Sequence, residues 1–343
     1  MKIYSSIKIL SAVILVLIFG MLNNSCDLQV TVMGYPQEIF VVADSLLWTE
    51  VGPEIMEVFE APVYTPIPEP SFALQWIPLR ELNAYKDRMN VFLIGIAGDK
   101  NPTSEYLKSI LPAEIQSGVE NDQNYHFFSN DLFARGQINL FLYAKDKMTF
   151  RQRFDQYKDD IFSEFNKRYL KRLSEDMFKQ AEQKDIEQFI LEKYGWKIRV
   201  QHDYFIATQD INAKYIWLRR MEPDRWVSVW EMKGDASDLT LDSLIKTRDK
   251  VLGKYYQGDW VDRDETYLMN VEFSGHPASK VVGIWQNDSL YVGGPFRTYA
   301  FKDSLSSKIY YVDIAVMAPD KQVKPFLDQL EVIANTFEMA KQQ

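Results

Sequence analysis

Ile138-Asn139-Leu140-Phe141-Leu142-Tyr143-Ala144-Lys145-Asp146-Lys147 is an apolar run closed by an Ala-x-Asp-Lys turn. A helical segment follows, with Phe154-Asp155-Gln156-Tyr157 and Ile161. The same order returns far downstream. Val312-Asp313-Ile314-Ala315-Val316-Met317-Ala318-Pro319-Asp320-Lys321 leads to Leu327-Asp328-Gln329-Leu330 and Ile333. Each copy reads as a strand, a turn and a helix. The aspartate of each Asp-Gln pair suits a helix cap, and the apolar residues three apart face a sheet.

Two further echoes keep the same order. Asn90 to Asp99, leading to Thr103, matches Arg225 to Asp235, leading to Thr240. Pro36 to Asp44 matches His202 to Asp210. Internal repeats fix architecture before motifs do. The expectation is an α+β chain of two tandem related domains, residues 34–182 and 183–343. Each is an antiparallel sheet with packed helices. A long helix joins them, because Phe150, Phe154, Tyr157, Ile161, Phe165, Tyr169, Leu173 and Met177 recur at helical spacing. The join falls near Gln180 to Asp185, before a second helix that Gly195 closes. Val323 to Met339 is the closing helix.

The N-terminus carries the clearest address. Lys2 and Lys8 precede the apolar run Ile9 to Leu22, then Asn23-Asn24-Ser25 and Cys26. The run fits a signal h-region of ~7–15 residues and falls short of the roughly 20 that span a bilayer. Ser25 is the small residue that a bacterial lipobox places before its cysteine, although Asn23 stands where Leu is preferred. The expectation is a signal peptide over 1–25, lipid attachment at Cys26 and a tether over 26–33. The membrane is then a partner through the lipid, and the location is the cell envelope, facing periplasm or cell surface. Asp27 is an inner-membrane retention signal only under the enterobacterial sorting rule, so which membrane stays open. Cys26 is the only cysteine, so the mature chain has no thiol chemistry.

The chain has 343 residues and a formal net charge of −9, which becomes −11 once Lys2 and Lys8 leave with the signal. An acidic body argues against nucleic acid as a partner. An aromatic share of 14% suits sheet packing and leaves room for a sugar platform.

Gly34-Tyr35-Pro36 with Glu38 to Val42, Glu69-Pro70-Ser71-Phe72, Phe133-Ala134-Arg135-Gly136-Gln137 and Gly195-Trp196-Lys197-Ile198 resemble an uncharacterised lipoprotein family of Bacteroidetes-type bacteria, a domain of unknown function. The resemblance runs from about residue 34 to the end. It departs at Gly136, where proline is expected. It implies export and a lipid anchor, and it brings no activity. The second half is more loosely similar to PsbP-like domains, α/β/α modules that act mainly as binding or assembly factors.

Catalytic signatures are mostly absent: no Walker loop, G-x-G-x-x-G, H-E-x-x-H or G-x-S-x-G is present. His126, His202 and His276 lie far apart, which argues against a zinc site. No cofactor or metal is expected. His276 in Ser274-Gly275-His276-Pro277 is a candidate contact, weighed against a plain hairpin turn. His202-Asp203 reads as a similar turn. Arg135 is a candidate for an anionic group, weighed against a surface pair with Asp131. Arg219, Arg220 and Arg225 with Trp226 and Trp230 form a basic, aromatic candidate patch, weighed against a charged sheet edge. The reading is a non-catalytic binding or assembly factor for an envelope protein or glycan. The rivals are an envelope hydrolase using carboxylates such as Asp131 or Glu272, with His276, and a glycan-binding lipoprotein.

Overall fold

The computed structural model describes residues 30–256, 258–319 and 321–340; Cys26 and the signal segment lie outside them. The first half holds a five-stranded sheet. Its strands are β1 (Glu38–Val42), β2 (Ala73–Ile77), β3 (Asn90–Ile96), β4 (His126–Asn130) and β5 (Ile138–Ala144), in the order β2-β1-β3-β5-β4. β1 runs parallel to β2 and β3, and β3 runs parallel to β5. Only the edge strand β4 is antiparallel, paired to β5.

This sheet is therefore mixed, where the sequence reading expected an antiparallel one. The reason lies in the apolar runs. β3 and β5 are buried along their whole length, as strands covered on both faces must be. Phe92, Ile94 and Ile96 enter a core with helices α1 (Ser45–Phe59) and α4 (Lys147–Met177). Val91 and Leu93 enter the opposite core with α2 (Pro102–Ile110) and α3 (Ala113–Glu120). Each central strand feeds a helix through a capped turn. Asp44 accepts from the N–H groups of Leu46 and Leu47, Asn101 from Ser104, and Asp146 from Thr149. Strand-turn-helix crossovers of this kind return the chain parallel to itself.

The predicted stripe of α4 is buried at Phe150, Phe154, Ile161, Phe165, Tyr169 and Met177. Its 31 residues make a rod about 46 Å long. Phe150 to Tyr169 pack in the first core, and Met177 packs in the second. α5 (Lys184–Tyr194) follows after a short break, and Gly195 closes it in the left-handed conformation, φ 82°.

The second half is a seven-stranded, wholly antiparallel sheet. Its strands are β6 (Phe205–Asp210), β7 (Tyr215–Arg220), β8 (Asp224–Lys233), β9 (Trp260–Phe273), β10 (His276–Asn287), β11 (Val292–Lys302) and β12 (Lys308–Met317). The order is β9-β10-β11-β12-β8-β7-β6. Helix α6 (Leu241–Tyr255) covers one face, while α5, α7 (Lys324–Ala334) and the end of α4 cover the other. The closing helix stops at Ala334, and Glu338–Met339 pairs with Trp196–Lys197 instead.

The chain is thus an α+β protein of two adjacent domains. The expected relatedness of the domains is corrected: strand order and direction differ between the two sheets. The echoes in sequence record a repeated local solution, an apolar strand running into a turn and a helix.

Candidate functional site

The seam between the domains is organised by helix α7. Leu327, Leu330 and Ile333 are its apolar face, yet Lys324, Asp328 and Glu331 are also buried. Their three- and four-residue spacing puts the charges on one stripe. α7 has no side-chain cap of its own, since Val323 occupies the cap position. Glu69 of the first domain supplies one. Its carboxylate accepts from the N–H of Val323 at 2.6 Å and of Lys324 at 3.0 Å. A carboxylate at a helix N-terminus meets both orphan donors and the positive end of the dipole.

The stripe continues the bridge. The Tyr169 hydroxyl on α4 donates to Asp328 Oδ2 at 2.6 Å and accepts from Gln37 Nε2 at 3.0 Å. Lys324 pairs with Asp328 one turn along and lies over the rings of Phe72 and Tyr169. Deeper in the second domain, Glu331 receives Lys280 at 2.8 Å, Arg297 and the Tyr299 hydroxyl. Burial works to raise the Glu331 pKa, but Lys280 and Arg297 outweigh it and hold the carboxyl down at about 2. Burial lowers the Lys280 pKa in turn. Removing Glu331 would leave Lys280 and Arg297 buried without the carboxylate they share. Asp328 does not cap a helix start, as its sequence motif suggested; it sits in the second turn and serves the seam.

The two domains also border a groove of about 710 Å³. Pro66, in the loop between the short strands Pro62–Val63 and Glu69–Pro70, borders it from the first domain. Ile284, Gln286, Tyr291 and Gly293-Gly294 line the other side. Tyr64 of the same loop donates to Glu265 and packs edge-on against Tyr267, with centroids 5.4 Å apart.

The residues singled out in the sequence fall elsewhere. Trp226 and Trp230 are core residues, 5% and 1% exposed, packed on Trp285 and Tyr311. The arginines are occupied. Arg219 pairs with Asp224 through two hydrogen bonds of 2.8 Å, and Arg220 pairs with Asp203. Arg225 is buried, donates to the Pro223 carbonyl and lies over Phe326; desolvation lowers its pKa. The expected basic, aromatic surface is therefore a neutralised hairpin over a tryptophan core. The apolar faces of β7 and β8 were hidden behind their flanking charges in the sequence.

Arg135 is exposed, and its backbone pairs with the incoming chain. Its N–H donates to Val30, its carbonyl accepts from Val32, and its guanidinium reaches Thr31. Residues 30–33, expected as tether, thus lie along the first domain. Asp131 accepts from the N–H of Gly136 at 2.5 Å. His276 opens β10 after the Ser274-Gly275 turn, whose φ values of 51° and 78° mark a tight hairpin, and its ring stacks on Phe301. Glu272 and His276 belong to the second sheet, and Arg135 and Asp131 to the first domain. None of them lines the seam groove. Among the described residues, no group of three His, Cys, Asp or Glu could hold a metal. No described helix is long and apolar enough to cross a membrane.

Sequence reasoning missed Glu69, Lys324, Asp328 and Tyr291. One signal was present: three charges interrupt the apolar stripe of the closing helix, and buried charge on such a stripe calls for partners.

Solved structures resemble parts of the chain distantly. A Bacteroides thetaiotaomicron VPI-5482 protein is 11% identical over 43% of this chain and 46% of its own, with a TM-score of 0.28. The chain thus spans less than half of that protein. Cyanobacterial PsbP (CyanoP) from Synechocystis sp. PCC 6803 is 12% identical, over 43% of this chain and 88% of its own, with a TM-score of 0.29. LpqN of Mycobacterium tuberculosis, described as involved in cell envelope biogenesis, is 13% identical, over 43% and 83%, with a TM-score of 0.30. No curated protein matches the chain. Family models divide the chain at the same place as the two sheets: residues 32–178 match the domain of unknown function DUF8532, and residues 182–336 match the domain of unknown function DUF4837.

Proposed function

We propose that this protein is an exported lipoprotein, held in the cell envelope through Cys26, and that it serves there as a non-catalytic binding or assembly factor. The observation that carries the reading is the seam. Glu69 caps a helix of the other domain, and the Tyr169–Asp328–Lys324 chain closes beside it. Such a latch fixes two unlike domains as one platform and keeps the groove between them open. Preorganised surfaces bind without the entropy of ordering themselves. The N-terminal pattern of Lys2, Lys8, Ile9 to Leu22 and Ser25-Cys26 supports the anchor. Two acyl chains are enough for stable attachment.

Two measurements test the reading. Cys26→Ser should abolish metabolic labelling with a fatty acid and move the chain out of the membrane fraction. Unchanged labelling and fractionation would overturn the anchor. Cross-linking in intact envelopes should then capture a defined envelope component on the wild-type chain, and lose it when Glu69 and Asp328 are replaced by Ala and Asn. Capture that ignores both substitutions would sink the role given to the seam.

A further inference from the structure

We propose that the seam groove is a binding site for a neutral oligosaccharide, with Tyr291 and Trp260 as stacking platforms and Gln286 as the hydroxyl-reading group; the proposal rests on the envelope reading above.

Tyr291 is the first reason. Its side chain is 93% exposed, and its backbone is left-handed at φ 53°. A bulky residue in that region is a backbone outlier that persists only where its surroundings hold it. Glycine would fit the turn without strain, and an aromatic ring in open solvent adds nothing to the core. The hairpin that carries Tyr291 is nonetheless built to hold it. Asn287 is buried, and its Oδ1 accepts from the N–H groups of Ser289 and Leu290 at 3.1 and 2.9 Å. Its Nδ2 donates to the Tyr256 carbonyl and to Asp259 at 3.2 and 2.7 Å. The turn is thus pinned from beneath while its aromatic ring is displayed at the rim of the cavity.

The second reason is what shares that face. Trp260 pairs in register with Gln286, and Asp262 with Ile284, so all four side chains project from the same side of the sheet. Trp260 is 37% exposed. Gln286 donates to Asp262 at 2.6 Å, which fixes the plane of its amide. Gly293 and Gly294 give a flat stretch of wall. Glycine at 294 is required, since a Cβ there would meet the Val316 carbonyl at 2.0 Å.

Tyr291 on the groove wall, with exposed Trp260 beside the lining residue Gln286 and its partner Asp262, matches the chemistry of a sugar ring. Its C–H faces are apolar, and its hydroxyls both donate and accept. The volume is that of a small-ligand site. Charge excludes the acidic alternatives. No Lys or Arg is among the described lining residues, Asp288 lies on the rim, and the whole chain carries −9. A phosphate, an acidic glycan or an anionic headgroup would meet repulsion here.

The test is an array of neutral oligosaccharides, with acidic saccharides and an uncharged peptide as controls, probed with the purified full chain. Hits are then measured by titration calorimetry. The expected result is binding of at least one neutral oligosaccharide, weakened about tenfold or more by Tyr291→Ala, Trp260→Ala or Gln286→Ala. Tyr291→Gly should lose binding equally while the fold is kept or stabilised, which separates contact from unfolding. Silence across the neutral panel overturns the proposal, as does binding that all four variants retain or a preference for the acidic or peptide controls. Cys26→Ser fractionation and envelope cross-linking do not depend on sugar, so failure here leaves the envelope reading to be judged on its own data.

Discussion

Replacing Glu69 with alanine removes the cap of a helix in the other domain. Two charge-assisted hydrogen bonds are lost, at 2.6 and 3.0 Å, together with a negative charge on the helix dipole. Losing a cap costs typically about 1 kcal/mol. The dipole contributes about 0.3–1 kcal/mol more, toward the upper end at a half-buried seam. The expected loss is about 2 kcal/mol, and it should fall on the second domain although the mutation is in the first. The assay is urea unfolding followed by tryptophan fluorescence. Six of the eight tryptophans, Trp196, Trp217, Trp226, Trp230, Trp260 and Trp285, lie beyond residue 182, so the signal reports mainly that domain. Glu69→Gln keeps an acceptor oxygen and loses the charge, so it should cost about half as much. A double-mutant cycle with Asp328→Asn should show coupling of about 0.5 kcal/mol or more, because both groups meet at Lys324, Glu69 through its N–H and Asp328 through its ammonium. A loss below about 0.5 kcal/mol for Glu69→Ala, or strict additivity in the cycle, would refute the latch.

Two other substitutions follow from buried charge. Arg248 and Asp313 form a bidentate pair at 2.7 and 3.2 Å, 2% and 0% exposed, with Thr298 as a further donor. Arg248→Met should cost about 3–5 kcal/mol by stranding Asp313, and the double variant with Asp313→Leu should recover much of that in guanidinium unfolding; a double variant no better than the single contradicts the argument. Asp259 is raised to about 6 by burial, against hydrogen bonding from Asn287. From pH ~4 to ~6 the folded state therefore binds a proton that the unfolded state has released, so stability falls as pH rises through that window and levels off above it. Asp259→Asn, which keeps an acceptor for Asn287, should abolish this contribution to the slope and stabilise the chain at pH 7 by about 1–2 kcal/mol; an unchanged pH profile of unfolding would count against it.

What was legible in the sequence was local. The stripe of α4, the Gly195 cap and the Ser274-Gly275 turn each depend on a few neighbouring residues, and all three stand in the structure. The direction of the first sheet was not legible, because the runs Asn90 to Ile96 and Ile138 to Ala144 pack equally well in either direction. Their unbroken hydrophobicity was the clue to burial on both faces. Trp226 and Trp230 were misplaced for a related reason. Charges at strand ends look like a displayed surface until their partners, Asp224 and Asp203, are folded beside them. The seam depends on pairs far apart in the chain, such as Glu69 with Val323 and Tyr169 with Asp328, and no local window contains both members.

The cap on α7 also orders events in time. The carboxylate and the amide it meets are 254 residues apart in sequence, and contacts of such separation form late because a long loop must close before they return any stability. A chain emerging N-terminus first can complete its mixed first sheet while the acceptor waits uncovered. Docking of the final helix then closes the molecule, so a chain truncated before residue 323 would leave Glu69, Phe72 and Tyr169 exposed as a mark of incomplete synthesis.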